Sequence, residues 1–175
     1  MLRRCGTVLA ALAPALIAVA CVPSGHMTRY QAPVPTFDPI AFFAGPTQGH
    51  GSLAVAFSGS KPTLVEGHGV VEVDGSLRLE QTVRVGDKAA TRRTWHLYRV
   101  AAGRYSGTLS DAKGPVSGDG TGNQLHLSFA MRGGLQAEQF LYLQPGGQVA
   151  RNRMVVRKLG VPVASLDETI FRRPS

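Results

Sequence analysis

Residues 70–85 read VVEVDGSLRLEQTVRV, and this stretch decides the fold. At its centre, Asp74-Gly75 is typical of a two-residue type I′ turn, because both central residues of that turn need a positive φ. After the turn, apolar and polar residues alternate, as they do in a strand with one buried face. The apolar face of this strand carries Leu77, Leu79, Val83 and Val85. The stretch therefore predicts a β-hairpin packed on an apolar core.

Turn residues divide the rest of the chain into similar short segments, and 21 Gly and 11 Pro in 175 residues supply many such turns. No segment between them has the period of a long helix. The pattern predicts an all-β, up-and-down antiparallel barrel of about 8–10 strands, or a sandwich, and closure would remove the exposed sheet edges. The predicted strands are Gly51–Ser58, Thr63–Val73, Ser76–Val85, Thr91–Ala101, Arg104–Leu109, Pro115–Thr121, Gln124–Phe129, Gln136–Gln144, Gln148–Leu159 and Val161–Phe171.

One short helix is predicted before the strands, from Asp38 to Ala44. Asp38-Pro39 supplies a residue suited to the N-cap followed by proline at the first helical position. Phe42 and Phe43 lie in its single apolar turn, which Gly45-Pro46 ends. We expect this aromatic face to plug one end of the barrel.

Residues 1–20 are predicted to be a secretory signal peptide and not part of the fold. Arg3 and Arg4 form a short basic start, and Val8–Val19 is almost wholly apolar. This run is shorter than the roughly 20 apolar residues that a membrane-spanning helix needs. A basic start, an apolar centre and small residues before a cleavage point are the three parts of a signal peptide.

Cys21 follows the small residues 18–20, and two fates are open for it. The sequence fits the lipobox of bacterial lipoproteins, in which the cysteine is acylated and becomes the new N-terminus. It also fits an ordinary signal peptidase, which would release a soluble periplasmic protein. Because Cys5 leaves with the signal, Cys21 would be a lone thiol in an oxidising compartment. Lipidation explains such a thiol best, and Val22 beside it favours a periplasm-facing anchor in the outer membrane.

The mature chain is expected to hold a lipidated N-terminus and tether, residues 21–36, followed by a single barrel domain, residues 37–173. Loss of Arg3 and Arg4 leaves 17 Lys+Arg against 11 Asp+Glu, a net charge of +6. The basic residues are spread singly over outward strand faces, which is the pattern of a solvated surface. The alternative is attraction to anionic lipid headgroups. Nucleic acid is not expected as a partner of an exported protein.

Several polar residues fall on strand faces that are otherwise apolar, and these are the candidate ligand-binding residues. A buried polar or charged group is costly unless it is partnered, so each such residue needs a reason. They either form salt bridges at the barrel rim or line a cavity for a small ligand, with aromatic side chains as its walls. The candidates are Gln81, Arg93, Trp95, Tyr105, Asp111, Asn152 and Lys158.

Signatures of catalysis and metal binding are absent from the sequence. The five histidines are scattered, and no His-Glu-x-x-His motif or paired cysteine spacing occurs. No Gly-x-Ser-x-Gly nucleophile motif occurs either. We therefore predict no catalytic residues, no metal site and no cofactor.

A set of short motifs spread from about Phe37 to Arg172 resembles the uncharacterised bacterial lipoproteins of domain-of-unknown-function family 3833. The resemblance implies a lipocalin-like β-barrel lipoprotein with no established activity, and a lipidic ligand. The motifs are Arg93-Thr94-Trp95, Gly103-Arg104-Tyr105-Ser106-Gly107, Asp111 with Gly114, Gly118, Gly122-Asn123, Tyr142-Leu143-Gln144, Asn152-Arg153 and Arg157-Lys158-Leu159-Gly160-Val161.

The chain departs from that family at two places where its members tend to carry acidic residues. It has Gln81 in the strand after the Asp-Gly turn, and Gln139-Phe140-Leu141 before Tyr142. The resemblance therefore supplies no catalytic residue. Three functions follow as expectations: an envelope lipoprotein that binds or shields a small hydrophobic ligand, an envelope scaffold with a filled barrel, and an enzyme acting on fatty-acyl substrates.

Overall fold

The computed structural model describes residues 30–174, so the predicted signal peptide and Cys21 lie outside the described residues. One short α-helix precedes ten strands. A single 3₁₀ turn, Arg132–Gly134, joins two of the strands. The elements are α1 (Pro39–Phe43), β1 (Gly45–Val55), β2 (Gly59–Val71), β3 (Leu77–Val85), β4 (Thr91–Ala101), β5 (Arg104–Leu109), β6 (Ala112–Thr121), β7 (Gln124–Met131), β8 (Leu135–Leu143), β9 (Val149–Lys158) and β10 (Val161–Arg172).

The ten strands form a closed, up-and-down antiparallel barrel. Each strand pairs with the next along the chain, and β1 pairs with β10 to close the sheet. The predicted all-β barrel is thus confirmed, with ten strands at the upper end of the expected number. Closure pairs both edges of a sheet that would otherwise offer free N–H and C=O groups to other chains.

The Asp74-Gly75 turn differs in type from the prediction. Only Gly75 has a positive φ, 80°, whereas Asp74 remains at negative φ. Gly75 N donates to Glu72 O at 2.9 Å, and Glu72 N donates to Ser76 O at 2.8 Å. This is a three-residue loop with a left-handed glycine at its end, rather than a type I′ turn. Asp74 Oδ1 accepts hydrogen bonds from Ser76 N and Oγ at 2.9 and 2.6 Å, which fixes the loop.

Strand β1 begins at Gly45, six residues before the predicted Gly51. The added segment is rich in glycine and has little strand propensity of its own. Its glycines make room on the inner face, because a Cβ at Gly49 would lie 2.2 Å from Glu168 Oε1. Pairing with β2 and β10 therefore imposes the extended conformation here.

The helix covers one end of the barrel, which we call the closed end. The predicted helix is present, with Asp38 as its N-cap, and its Oδ1 accepts from Ile40 N at 3.0 Å. Phe42 and Phe43 are buried with Phe37, and their rings meet edge to face. Within residues 30–174, no other helix lies over the opposite end, which we call the open end.

Residues 30–36, expected to be part of a tether, are joined to the barrel by Asn123. Asn123 Nδ2 donates to Tyr30 O at 2.8 Å, and its Oδ1 accepts from Ala32 N at 2.7 Å. Asn123 N also donates to Ala32 O at 2.9 Å. A polar side chain in the β6–β7 turn therefore holds the segment before the helix against the barrel. Hydrophobic periodicity does not predict this contact, because it depends on one asparagine.

Gly69 allows the helix to approach β2, and this contact generates a test. A Cβ at Gly69 would lie 2.0 Å from the backbone oxygen of Phe43, so Gly69→Ala must move the helix. We expect a loss of about 1–3 kcal/mol in the free energy of unfolding, measured by urea denaturation. Val70→Ala, at the exposed neighbouring position, is the control. Equal stability of the two variants would contradict the role of the helix as a plug.

Candidate functional site

Apolar side chains fill most of the barrel interior, from the closed end to Phe129, Ala137 and Val156 in the open half. They come from nearly every strand, as the predicted alternation requires. Trp95 and Phe129 meet edge to face inside this core, with ring centroids 5.6 Å apart. The core includes Leu77, Leu79, Trp95, Leu97, Leu109, Val116, Leu125, Leu127, Phe129, Leu141 and Ile170.

A group of polar side chains on β3 and β4 interrupts this core. Gln81 Oε1 accepts hydrogen bonds from Arg93 Nε at 2.7 Å and from Trp95 Nε1 at 2.9 Å. The guanidinium carbon of Arg93 lies 5.8 Å from the centroid of the Trp95 ring. Gln81 and Arg93 are register partners on neighbouring strands, so the sheet itself brings them together. One amide oxygen thus satisfies two donors inside the barrel.

A second polar pair lies on β9 and β10. Asn152 Nδ2 donates to Glu168 Oε2 at 2.8 Å, and both residues are buried. Asn152 Oδ1 and Glu168 Oε1 are also buried, without a hydrogen-bond partner among the described residues. Buried polar oxygens of this kind call for a water molecule or a polar ligand.

Burial governs the protonation of this cluster. Burial raises the pKa of Glu168, and the Asn152 hydrogen bond and the charges of Arg93 and His50 only partly oppose it. Burial lowers the pKa of the Arg93 guanidinium, while Glu168 and Asp111 act in the opposite direction. Glu168 and Arg93 are thus coupled across the interior, each favouring the charged form of the other.

The cavity between these polar groups is small, about 40 Å³. Polar side chains and apolar core residues line it together, among them Gln81, Arg93, Gln139 and Glu168. Pockets that bury a small-molecule ligand usually have about 300–1,000 Å³, and one water molecule takes about 30 Å³. The cavity is therefore the size of bound water and does not hold an acyl chain.

A larger pocket of about 210 Å³ opens at the mouth of the barrel, on the inner side of β1, β2 and β3 at the open end. We call it the mouth pocket. Leu53, Val55 and Val85 supply its apolar lining, and Lys61 and Lys88 supply two exposed cationic groups. No acidic side chain lines it. An apolar recess bordered by charge of one sign suits a short amphipathic anion.

Another recess, of about 450 Å³, lies outside the barrel over β1, β9 and β10. Its outward side chains are polar or charged, and Arg153 in it pairs with Asp167 at 2.5 Å. We call it the outer groove. Its lining includes Tyr30, His50, Ser52, Arg151, Arg153 and Thr169.

The structure brings together four of the seven candidate residues in the interior: Gln81, Arg93 and Trp95 on one side, with Asn152 on the other. Tyr105 is buried, but it lies towards the closed end, where the Arg99 guanidinium carbon is 5.4 Å from its ring centroid. Tyr105 therefore does not join the polar cluster as a wall of one cavity.

Asp111 and Lys158 do not line the interior as ligand-binding residues, and for Lys158 the structure agrees with the alternative of a residue at the barrel rim. Asp111 is exposed in the turn after Leu109, where β5 has ended and the alternation with it. Lys158 is the last residue of β9 and is exposed at the open end. For Asp111 the period of two was extended past the end of the strand, whereas Lys158 keeps the inward parity at the last position of its strand, where the barrel meets solvent.

Two buried polar residues of the interior, Glu168 and Gln139, were not predicted. Glu168 alternates with Leu166 and Ile170, both buried, so the same period of two marks it as inward-facing. Gln139 lies two positions before the buried Leu141 in the same way. They were not predicted because a charged or polar residue in a strand was interpreted as facing solvent.

Within residues 30–174, no group of three His, Cys, Asp or Glu side chains is placed to hold a metal ion. No helix among these residues is both long enough and apolar enough to cross a membrane.

A closed up-and-down barrel with one plugged end and an inward-facing pocket at the other defines a lipocalin-like, or calycin-like, protein. The chain belongs to the family described as "Protein of unknown function (DUF3833)", whose model matches residues 15–172. This confirms the family identified from the sequence motifs. Among curated proteins, none matches the chain.

Two solved structures share the fold. The S-type phycobiliprotein lyase CPES from Guillardia theta has a TM-score of 0.63 and 9% identity, over 78% of this chain and 91% of that one. A protein of unknown function from the DUF3598 family of Nostoc punctiforme has a TM-score of 0.58 and 12% identity. That match covers 79% of this chain and 50% of the other. At these identities, the likeness shows the fold alone.

The buried carboxyl of Glu168 makes stability depend on pH. Because its pKa is raised in the folded state, the folded protein keeps a proton that the unfolded chain releases at lower pH. Stability therefore falls as pH rises from the ordinary carboxyl range through the raised pKa. The Glu168→Gln variant lacks this titration. Its free energy of unfolding, measured by urea denaturation, should therefore improve relative to that of the wild type as pH rises from about 4 to about 8.

Glu66→Gln is the matched control, since Glu66 is an exposed carboxylate on β2. The difference between this variant and the wild type should change little over the same pH range. If the difference in free energy of unfolding between the Glu168→Gln variant and the wild type does not change with pH, the raised pKa of Glu168 is contradicted.

Proposed function

We propose that this protein is an envelope lipoprotein that holds one small amphipathic anion in the mouth pocket of its barrel. The proposal places the anchor at Cys21 in the outer membrane, with the barrel in the periplasm. A soluble periplasmic form is the alternative if Cys21 merely follows a cleavage site. The pocket itself does not depend on which of these holds.

The mouth pocket is the observation that carries this proposal. This inward-facing recess has an apolar lining, and its charged side chains, Lys61 and Lys88, are both positive. The interior cavity of about 40 Å³ excludes a lipid chain lying along the barrel axis. At about 210 Å³, the mouth pocket is below the usual range for drug-sized ligands, so it suits a short chain. A medium-chain carboxylate is the simplest molecule of this kind.

The apolar part of such a ligand would contact Leu53, Val55 and Val85, and its carboxylate would pair with Lys61 and Lys88. Lysine side chains suit this position, because their methylene stems cover apolar surface while the ammonium groups stay in water. Both lysines are exposed, so their attraction for the ligand is weakened by salt.

Octanoate binding, measured by isothermal titration calorimetry, tests the proposal. We expect Lys61→Gln/Lys88→Gln to weaken octanoate binding by about tenfold, since two exposed ion pairs are lost. Val85→Phe should weaken it by filling the pocket. Lys113→Gln removes a lysine near the β5–β6 turn, outside the pocket lining, and should bind as the wild type does. Octanol, which lacks the charge, should bind about tenfold more weakly than octanoate.

Octanoate binding that is equal in the Lys61→Gln/Lys88→Gln and Lys113→Gln variants would contradict the role of the two lysines. If neither the wild type nor any variant binds octanoate, the proposal of a medium-chain carboxylate ligand is contradicted.

A specific observation favours a second candidate, the envelope scaffold. The filled interior and the outer groove of about 450 Å³ suit a partner bound on the outside of β1, β9 and β10. The photoreactive residue benzoylphenylalanine, introduced at Ser52, should then crosslink one envelope protein in cells. The same residue at the exposed Ser117 on β6 should not. Identical crosslinks from both positions, or none from Ser52, would exclude this candidate.

The third expectation, an enzyme acting on acyl groups, needed Asp111 beside Tyr105 or Arg93 in a cavity. Asp111 is exposed in a turn, and Tyr105 lies buried towards the closed end. The arrangement that would support this activity is therefore missing from the described residues.

A further inference from the structure

Two large apolar side chains project from neighbouring turns at the open end. Phe57, in the β1–β2 turn, is 96% exposed, and Leu159, in the β9–β10 turn, is 93% exposed. The two turns are neighbours because β1 pairs with β10, and Ala56 N donates to Val163 O at 2.9 Å. Val161 beside Leu159 is exposed as well.

The backbone at both positions is unfavourable for a bulky side chain. Phe57 has a φ of 62° and Leu159 a φ of 50°, in the left-handed region that glycine or asparagine adopts most easily. Both residues therefore carry backbone strain without gaining any burial. Neither the backbone strain nor the exposure of these apolar side chains stabilises the barrel, so both need another explanation.

Cationic side chains surround these two turns. Lys158 directly precedes Leu159, and Lys61 lies in β2 shortly after Phe57. Lys61 also packs over Gly86, which places it beside the β3–β4 turn that carries Lys88. We call this set the apex: Phe57, Leu159, Val161, Lys61, Lys88 and Lys158.

Basic residues outnumber acidic residues among the exposed charged side chains at the open end, and the lysines of the apex account for most of this excess. The exposed charged residues at or near the open-end turns include Lys61, Lys88, Arg92, Lys113, Arg132 and Lys158, against Asp87 and Asp111. Those near the closed end include Arg99, Arg104 and Arg173, against Asp74 and Asp119, so the basic excess there is smaller.

We propose that the apex docks on an anionic lipid bilayer, with Phe57 and Leu159 inserted among the lipids. Apolar side chains at loop tips, bordered by lysines, match a surface that is negatively charged outside and apolar beneath. A protein partner would instead favour a flatter apolar patch with packed neighbours. This interaction does not require a ligand in the mouth pocket.

A fluorophore at each end of the barrel tests the docking directly. The mature chain, residues 21–175, carries Cys21→Ser, which removes its native thiol, and either Phe57→Cys or Val73→Cys labelled with the polarity-sensitive dye NBD. Val73 is the control, because it is fully exposed in the β2–β3 turn at the closed end. Vesicles contain phosphatidylethanolamine and phosphatidylglycerol, with brominated acyl chains as quenchers.

We expect the dye at position 57 to shift to the blue and to be quenched by the brominated chains, while the dye at position 73 stays in water. Quenching at position 57 should fall in phosphatidylcholine vesicles and at high salt, because screening weakens the lysine–phosphate attraction. In the unlabelled mature chain with Cys21→Ser, Phe57→Ser/Leu159→Ser should reduce vesicle partitioning by about tenfold or more, and Val73→Ser should not.

Three results would overturn the proposal. The first is a dye at position 57 that stays in water on anionic vesicles. The second is equal quenching at both positions or in neutral vesicles. The third is a benzoylphenylalanine residue at position 57 that crosslinks one envelope protein in cells while the vesicle signal is absent, which would assign the apex to a protein partner.

Discussion

The pairing of β1 with β10 is the constraint on which the rest of the structure depends. It closes the sheet, so neither edge offers unpaired backbone groups to another chain. It also requires the glycines of β1, because Gly49 and Gly51 leave the space that the Glu168 side chain occupies. The pairing of β1 with β10 therefore both closes the barrel and places the carboxyl group of Glu168 in its interior.

Strand alternation made most of the fold predictable, since the inward positions from Leu77 to Leu141 are apolar with few exceptions. The first half of β1 was not predictable, because its glycines are extended only through their neighbours. In the site, Gln81 and Arg93 were found because they interrupt apolar faces on adjacent strands. Glu168 was missed, although its two inward neighbours in β10 are apolar, and Lys158 lies at the rim rather than in the interior because β9 ends there.

The two ends of the barrel differ in what their side chains leave exposed. Phe37, Phe42 and Phe43 seal one end, and buried apolar side chains continue past the cluster of Arg93 and Glu168 to Phe129, Ala137 and Val156. At the other end, the mouth pocket opens to solvent on the inner side of β1, β2 and β3, and apolar and basic side chains line it together. The ligand that we propose would therefore lie in the mouth pocket at the open end.

Methyl NMR of the protein with octanoate tests this central claim most directly, because it reports where in the barrel a ligand lies. The account predicts that the methyl resonances of Leu53, Val55 and Val85 shift, while those of Leu97 and Leu125, below the polar cluster, remain in place. Shifts confined to Leu97 and Leu125 would contradict it, because a ligand would then occupy the interior that the structure fills with side chains.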